Sequence, residues 1–188
     1  MVLQNRFILL FHWHCRTLVR TRKQVNMHIR LANTDDLQAI NTIYNQAVAG
    51  QLTADRTPIT MAARAAWFKE HDCNTYPVFV YEVNNQVVAW LSFSKYRLGR
   101  EAFKTTAEIS YYVSNNYRRN GIGTALVQFA RQQAVQYGFK NLLAMILEWN
   151  TGSIRLLEKC GFEKWAYLPR VADFDGAICG HLYFGINL

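Results

Sequence analysis

The chain has 188 residues, 51% of them hydrophobic, which is enough for one domain with a substantial core. The formal charge of +8 is typical of some nucleic-acid binders, but five of the 21 basic residues and none of the 13 acidic ones lie in residues 1–27. The remaining 16 basic and 13 acidic groups leave +3, so the charge of the rest of the chain argues against nucleic-acid binding.

Residues 1–26 do not resemble the rest of the chain. Their apolar run at 7–11 is too short to span a bilayer, and no small-residue cleavage site follows it. We therefore predict a non-domain extension over 1–26 and one domain over 27–188. An organelle transit peptide is the less favoured alternative, suggested by the arginine-rich and acid-free composition.

Metal binding and disulfides are not indicated. His12 and His14 have no third ligand nearby in the sequence. The four cysteines are far apart and form no Cys-x-x-Cys pair: Cys15, Cys73, Cys160 and Cys179. We expect no metal, and a reducing cytoplasm is the simplest location.

The first half of the domain predicts a strand, two helices and a hairpin. Residues 27–32 alternate as in an edge strand, and a capped helix runs from about residue 34 to Ala47 before Gly50. Thr60 caps a second helix to about His71. Strands at 77–83 and 86–94 are joined by the turn Asn84-Asn85.

The second half predicts a central strand, two further helices and three more strands. The central strand covers about 105–113, and a glycine turn leads into a helix that ends near Gly138. An apolar strand at 141–147 and a helix at 154–159 follow. Strands at 162–168 and 181–186, joined by residues 169–180, close the chain. The order βααβββαβαββ predicts an α/β domain with a mixed sheet.

The turn after the central strand has the features of an anion site. The first amides of a helix have no partner within the helix, and the helix dipole adds positive charge there. Glycines let the backbone approach a phosphate closely. We therefore predict a pyrophosphate seat in the run Arg118, Arg119, Asn120, Gly121, Ile122, Gly123 and Thr124. The run is neither a Walker loop nor a dinucleotide fingerprint.

The pattern Arg118-x-x-Gly121-x-Gly123, with Asn150 and Gly161-Phe162 at their spacing downstream, resembles the GNAT superfamily of N-acetyltransferases. The resemblance implies a sheet whose fourth and fifth strands splay apart, with acetyl-CoA as co-substrate between them. It also implies which residues bind acetyl-CoA besides the run 118–124: the backbone of Tyr111, Tyr112 and Val113, and the side chains of Asn150 and Ser153.

A narrower resemblance is to the phosphinothricin acetyltransferase-like branch, carried by residues 107–114 and by Arg100-x-Ala102-Phe103. It implies acetylation of the α-amine of a small amino-acid analogue such as phosphinothricin, methionine sulfoximine or methionine sulfone, and a homodimer. It also implies Glu108 as the base, acting through a water relay because direct proton transfer from an ammonium is uphill. The alternatives for Glu108 are a structural salt bridge or an anchor for the substrate ammonium.

The loop before the central strand is basic, with Lys95, Arg97, Arg100 and Lys104. We expect Arg100, Arg97 and Phe103 to contact an anionic substrate group, since arginine binds carboxylates in bidentate fashion. A solvated surface loop is the alternative. Where the superfamily often has a proton donor for the leaving thiolate, this chain has Leu157, so coenzyme A is expected to leave unassisted.

Two other functions stay open at this stage. One is acetylation of another amine in the same fold: a protein N-terminus, a polyamine or an aminoglycoside. The other is a non-catalytic acyl-CoA-binding domain, against which the presence of Glu108 and Asn150 argues. His181 is expected only to decorate the last strand.

Overall fold

The structure is a computed structural model that describes residues 27–188. The predicted extension over 1–26, with His12 and His14, lies outside the described residues. The strands are β1 Met27–Leu31, β2 Val78–Val83, β3 Gln86–Lys95, β4 Thr106–Val113, β5 Asn141–Leu147, β6 Glu163–Phe174 and β7 Ala177–Asn187. The helices are α1 Leu37–Ala49, α2 Met61–Lys69, α3 Ile122–Gln136 and α4 Thr151–Lys159.

This order confirms the predicted arrangement of strands and helices. One seven-stranded sheet has the order β1-β2-β3-β4-β5-β7-β6. The β4–β5 pair is parallel and all other neighbours are antiparallel. The fold class is therefore the expected α/β domain with a mixed sheet.

Helix starts follow the capping signals in the sequence. Asn33 and Asp36 form a reciprocal capping box at the short 3₁₀ turn that leads into α1. The Thr60 hydroxyl accepts a hydrogen bond from the amide of Ala63 at the start of α2. These bonds satisfy amides that would otherwise lack partners, and so they fix where each helix begins.

The sheet separates two apolar cores. On one face, α3 and α4 pack through fully buried residues such as Leu126 and Leu157 against Leu142 and Phe184. On the other face, α1 and α2 cover a smaller core centred on Ile40, Val80 and Trp90. Side chains of β4 therefore point alternately toward one core and the other, because successive strand residues point to opposite sides of the sheet.

The closing strands are longer than predicted. Residues 169–180 are not a connector: β6 continues to Phe174 and β7 begins at Ala177, with Asp175-Gly176 as the turn. Pro169 is compatible with a strand here because it lies in the irregularity between Leu168 and Ala172, where β6 has no paired residue on β7 and a missing amide hydrogen costs no ladder bond. The polar and glycine-rich composition of this segment had obscured the strands.

None of the helices in the described region, 27–188, has both the length and the apolar character required to cross a bilayer.

Candidate active site

The central feature of the site is a wedge between two parallel strands. Strands β4 and β5 pair only where residues 106–108 meet 141–143, and Glu108–Leu143 is the last pair. Beyond it β4 continues to Val113 while remaining paired with β3, and β5 continues to Leu147 while paired with β7. The backbone edge of β4 that faces β5 therefore has no strand partner over residues 109–113, and the Val113 carbonyl oxygen there accepts a hydrogen bond from Arg118 Nε at 3.3 Å. The splay of the fourth and fifth strands, expected from the resemblance, is present.

A cavity of about 760 Å³ fills this wedge and continues to the start of α3. It brings together most of the residues predicted from the sequence: Glu108, Tyr111, Tyr112, Val113, Arg118, Arg119, Gly121, Gly123, Thr124, Asn150 and Ser153. Two members of the predicted run do not line it. Asn120 donates to the Tyr117 carbonyl oxygen at 3.4 Å, and the Ile122 side chain is buried in the core.

The glycine turn gives the cavity an open helix N-terminus. Arg119 and Gly121 both have a left-handed backbone, with φ of 64° and 80°. A Cβ at Gly123 would lie 2.5 Å from Leu156 Cδ1, so this position admits no larger residue unless Leu156 moves. The first bond within the helix is from the Ala125 amide to the Gly121 carbonyl. The amides of residues 122–124 thus precede the helix's own hydrogen bonding, as an anion site requires.

Asn150 forms the opposite wall of the wedge. Its Oδ1 accepts a bond from the Ser153 amide at 3.2 Å and so caps α4. Its Nδ2 donates to the Leu52 carbonyl oxygen at 3.5 Å. Asn150 therefore ties the end of β5 to the loop that follows α1, in addition to any contact with a ligand.

Glu108 lies where the wedge closes, and its carboxylate has no salt bridge or hydrogen bond to the described part of the chain. Burial raises the pKa of this carboxyl from its ordinary 4.5 to about 7. Removal from water disfavours the charged form, and no neighbouring cation compensates. A carboxyl that titrates near neutrality can accept and release a proton under physiological conditions.

An aromatic cluster forms the face of the wedge toward α1. Tyr112 stacks on Trp90 with ring centroids 4.7 Å apart and meets Tyr44 edge-on at 4.9 Å. The Arg64 guanidinium is buried and lies 4.5 Å from the Tyr44 ring and 4.6 Å from the Trp67 ring. These contacts hold Tyr112 rigidly beside Glu108 on the same strand face.

The loop after α1 also borders the cavity, and no sequence motif identified it. Leu52, Thr53 and Ala54 line the cavity. The Tyr44 hydroxyl bonds to Asp55 and lies 3.2 Å from Thr53 Oγ1. The Trp149 indole donates to the Gln51 carbonyl oxygen at 2.7 Å. The loop thus spans the mouth of the wedge from α1 to the end of β5.

Two further polar groups line the cavity. The Tyr111 hydroxyl is buried near Ser153, and burial raises the pKa of this phenol well above its ordinary range. His181, expected only to decorate the last strand, lines the cavity opposite Leu147. Burial lowers the pKa of its imidazole.

The basic loop does not join this cavity. Arg97, Arg100 and Phe103 line a separate hollow of about 80 Å³ together with Tyr76 and Lys95. Phe103 is 45% exposed and packs edge-on against Tyr96. The loop leads directly into β4 two residues before Glu108, so it lies near the closed end of the wedge without lining it.

Among residues 27–188 there is no group of three or more histidine, cysteine or acidic side chains that could hold a metal ion.

Comparison with known proteins identifies the family. Residues 37–162 match the model described as the Acetyltransferase (GNAT) family. A Bacillus subtilis protein that carries the provisional name phosphinothricin acetyltransferase YwnH is 40% identical over 152 residues, which cover 80% of this chain and 92% of that protein. The L-methionine sulfoximine/L-methionine sulfone acetyltransferase of Pseudomonas aeruginosa is 34% identical over 163 residues, or 85% and 94% of the two chains.

A solved structure gives the same result for the fold. The GNAT superfamily phosphinothricin acetyltransferase of Sinorhizobium meliloti, in complex with acetyl-CoA, matches with a TM-score of 0.81 and 27% identity. The match covers 86% of this chain and 88% of that one. With the parted strands, the glycine turn and the family match over residues 37–162, the chain belongs to the GNAT family of acetyltransferases.

Proposed function

We propose that the protein transfers acetyl from acetyl-CoA to the α-amine of a small amino-acid analogue of the phosphinothricin, methionine sulfoximine or methionine sulfone type. The observation that carries the proposal is Glu108: a half-buried carboxylate without a charged partner, at the closed end of a wedge whose other end is a helix N-terminus. A carboxylate kept only for stability would be paired with a cation or with hydrogen-bond donors.

The wedge suits acetyl-CoA along its length. The open edge of β4 over residues 109–113 offers backbone groups to a pantetheine arm, as a sheet edge does to an added strand. The amides at the start of α3, with Arg118 and Arg119 beside them, suit a pyrophosphate. Asn150 and Ser153 face the same cavity from α4. These assignments follow from position and chemistry.

Glu108 would remove a proton from the acceptor amine. A base whose pKa is about 7 is better matched to an amine than an ordinary carboxylate, although transfer from an ammonium is still uphill. A water between the amine and Glu108 would relay the proton where the two groups are not in direct contact, without changing the free energy of the transfer. Backbone amides on the open edge of β4 would polarise the thioester carbonyl as nitrogen attacks carbon.

The leaving thiolate needs little assistance. Leu157, which stands where the superfamily often has a donor, is fully buried in the core and carries no proton to give. A thiol with a pKa of about 8.5 is already a fair leaving group. The carbon–sulfur bond would break as the carbon–nitrogen bond forms, and the thiolate would take its proton from solvent.

The acceptor class is supported by the activity for which the Pseudomonas relative is named and by the basic loop. Arg100, Arg97 and Phe103 lie near the closed end of the wedge and are proposed to meet the anionic group of the acceptor. A positive loop favours a carboxylate or phosphinate over a polyamine or an aminoglycoside. The excess of basic over acidic residues is concentrated in residues 1–27 of the sequence, and we propose no nucleic-acid role.

A homodimer and a cytoplasmic location complete the proposal. Strand β6 is a sheet edge and exposes large apolar side chains, including Trp165, Tyr167 and Val171. An exposed apolar edge strand favours pairing with a second copy. Cys73, Cys160 and Cys179 are free thiols, which is consistent with a reducing compartment.

Replacing Glu108 with Gln should lower kcat by about 10²–10⁴-fold, because the isosteric amide cannot accept the proton. The KM for acetyl-CoA should change by less than about twofold, since the cofactor arm is bound elsewhere in the wedge. Thiol release measured with methionine sulfone reports both values. Turnover of the variant at the wild-type rate would disprove Glu108 as the base.

The same variant should change how stability depends on pH. A carboxyl whose pKa rises from 4.5 to about 7 on folding stabilises the fold below pH 4.5 and loses that contribution as the pH rises through 7. Glu108→Gln should therefore gain up to about 3 kcal/mol over wild type between pH 4.5 and pH 8 in urea unfolding. The exposed Glu101→Gln serves as the control and should show no such trend.

The acceptor is identified by a panel assayed for thiol release. We expect turnover with methionine sulfone, methionine sulfoximine and phosphinothricin, and none with spermidine or an aminoglycoside. Arg100→Ala should raise the KM for the amino-acid analogues by about tenfold. The matched control is Lys104→Ala, which also removes one positive charge from the same loop. Turnover with the cationic amines alone would retain the enzyme class and overturn the acceptor class.

The oligomeric state is tested by sedimentation velocity at micromolar concentration. The wild-type chain should sediment as a dimer, and Trp165→Glu should give monomers because it places a charge on the exposed apolar edge. Val135→Glu changes an apolar residue on α3 that is even more exposed, at 62% against 43% for Trp165, and should leave the dimer intact. A monomeric wild type, or a dimeric Trp165→Glu, would contradict this assembly.

A further inference from the structure

His71, just after α2, has both ring nitrogens within hydrogen-bond distance of oxygen atoms. Nδ1 lies 2.9 Å from the Trp67 carbonyl oxygen, and Nε2 lies 3.3 Å from Ser94 Oγ on β3. A carbonyl oxygen can only accept, so Nδ1 must carry the hydrogen. In the neutral ring Nε2 is then an acceptor, and the Ser94 hydroxyl must donate its single proton to it.

The surroundings of His71 keep the ring neutral near pH 7. Burial lowers the pKa of the imidazole, and its ring lies 4.3 Å from that of Trp67. Two charges act on it from α2 and its end: Glu70 raises the pKa and Arg64 lowers it, both more weakly than burial. The tautomer fixed by the Trp67 carbonyl is therefore the working form.

Ser94 connects this histidine to the proposed base. Ser94 and Glu108 are directly opposed residues of the antiparallel strands β3 and β4. Such pairs share one face of the sheet, with Cβ atoms about 4.5–5.5 Å apart. Because the Ser94 proton is directed to His71, Ser94 offers Glu108 only oxygen lone pairs. A carboxylate gains nothing from an acceptor, which agrees with the lack of a donor to Glu108 among the described residues.

We propose that His71 is a positioning residue that holds the Ser94 hydroxyl away from Glu108 and so preserves the basicity of that carboxylate. The proposal rests on the proposed role of Glu108 as the base. Without the imidazole, the Ser94 hydroxyl would rotate and donate to the Glu108 carboxylate. A hydrogen bond to the charged form favours ionisation and weakens the base.

The arrangement also responds to acid. Protonated His71 would donate from Nε2 to Ser94 Oγ, which frees the serine proton for Glu108. Among the described residues, Tyr112 interacts electrostatically with Glu108 from its own strand, and His181 on β7 lines the same cavity. Burial raises the pKa of the Tyr112 phenol and lowers the pKa of the His181 imidazole, so burial favours the neutral form of each. Neither group therefore supplies a charge that would replace this effect at neutral pH.

The test is a double-mutant cycle on His71 and Ser94. His71→Phe removes the nitrogens and retains a ring against Trp67, and His71→Ala serves as a second variant if the larger ring disturbs folding. The primary readout is the titration of the Glu108 carboxyl carbon by NMR in glutamate-labelled protein, assigned with Glu108→Gln. The acid limb of kcat/KM is recorded in parallel. His28→Phe, on β1, is the matched control.

His71→Phe should lower the pKa of Glu108 by about one unit and move the acid limb of kcat/KM to lower pH by the same amount, with kcat reduced several-fold. Ser94→Ala removes the hydroxyl and should leave the pKa of Glu108 near the wild-type value. The double variant should match Ser94→Ala, because no hydroxyl is left to rotate. His28→Phe should match wild type.

The proposal is overturned if Glu108 titrates in His71→Phe and His71→Ala as in wild type, or if the double variant keeps the shift. Equal loss of turnover in Ser94→Ala and His71→Phe, with no shift at Glu108, would instead indicate a proton relay and also overturn it. The NMR titration does not require turnover. Full activity of Glu108→Gln, together with a shifted Glu108 titration in His71→Phe, would therefore reject the role of Glu108 as base. It would still establish the coupling among His71, Ser94 and Glu108.

Discussion

The separation of β4 from β5 after Glu108 is the constraint on which the rest of the site depends. Backbone amides and carbonyls of an interior strand normally have partners, and leaving them unpaired in a buried place is costly. Here the strands on either side continue their pairing, so the opening cannot close by a shift of register. The fold is thereby left with one strand edge that water or an inserted, strand-like ligand can satisfy.

The same separation explains the state of Glu108. It is the last β4 residue paired with β5, so the sheet removes it from water, and yet its carboxylate has no charged or hydrogen-bonding partner in the described part of the chain. A cation placed there would stabilise the carboxylate and reduce its value as a base. The geometry that opens the edge of β4 therefore also sets the raised proton affinity at its end.

Local signals were sufficient for the elements that build the wedge. The central strand, the glycine turn and the helix after β5 were predicted from the sequence, because each is encoded within a few residues. The extent of β6 and β7 was not, since Pro169 and the polar residues near it resemble a loop. Only the pairing of the two strands with each other shows that they continue to the turn at Asp175.

Long-range contacts account for what the sequence did not predict. Trp149 and Gln51 are far apart in the chain, and only the folded sheet brings them together over the mouth of the wedge. The charge pattern of a loop likewise does not show where its side chains point. The basic loop was therefore predicted correctly as a loop, but its place beside a separate hollow was not predicted. His71 is the clearest example. In the sequence, its position indicated only the end of a helix. Its tautomer depends on a carbonyl in α2 and a hydroxyl on β3, so the sequence alone does not show which ring nitrogen carries the hydrogen.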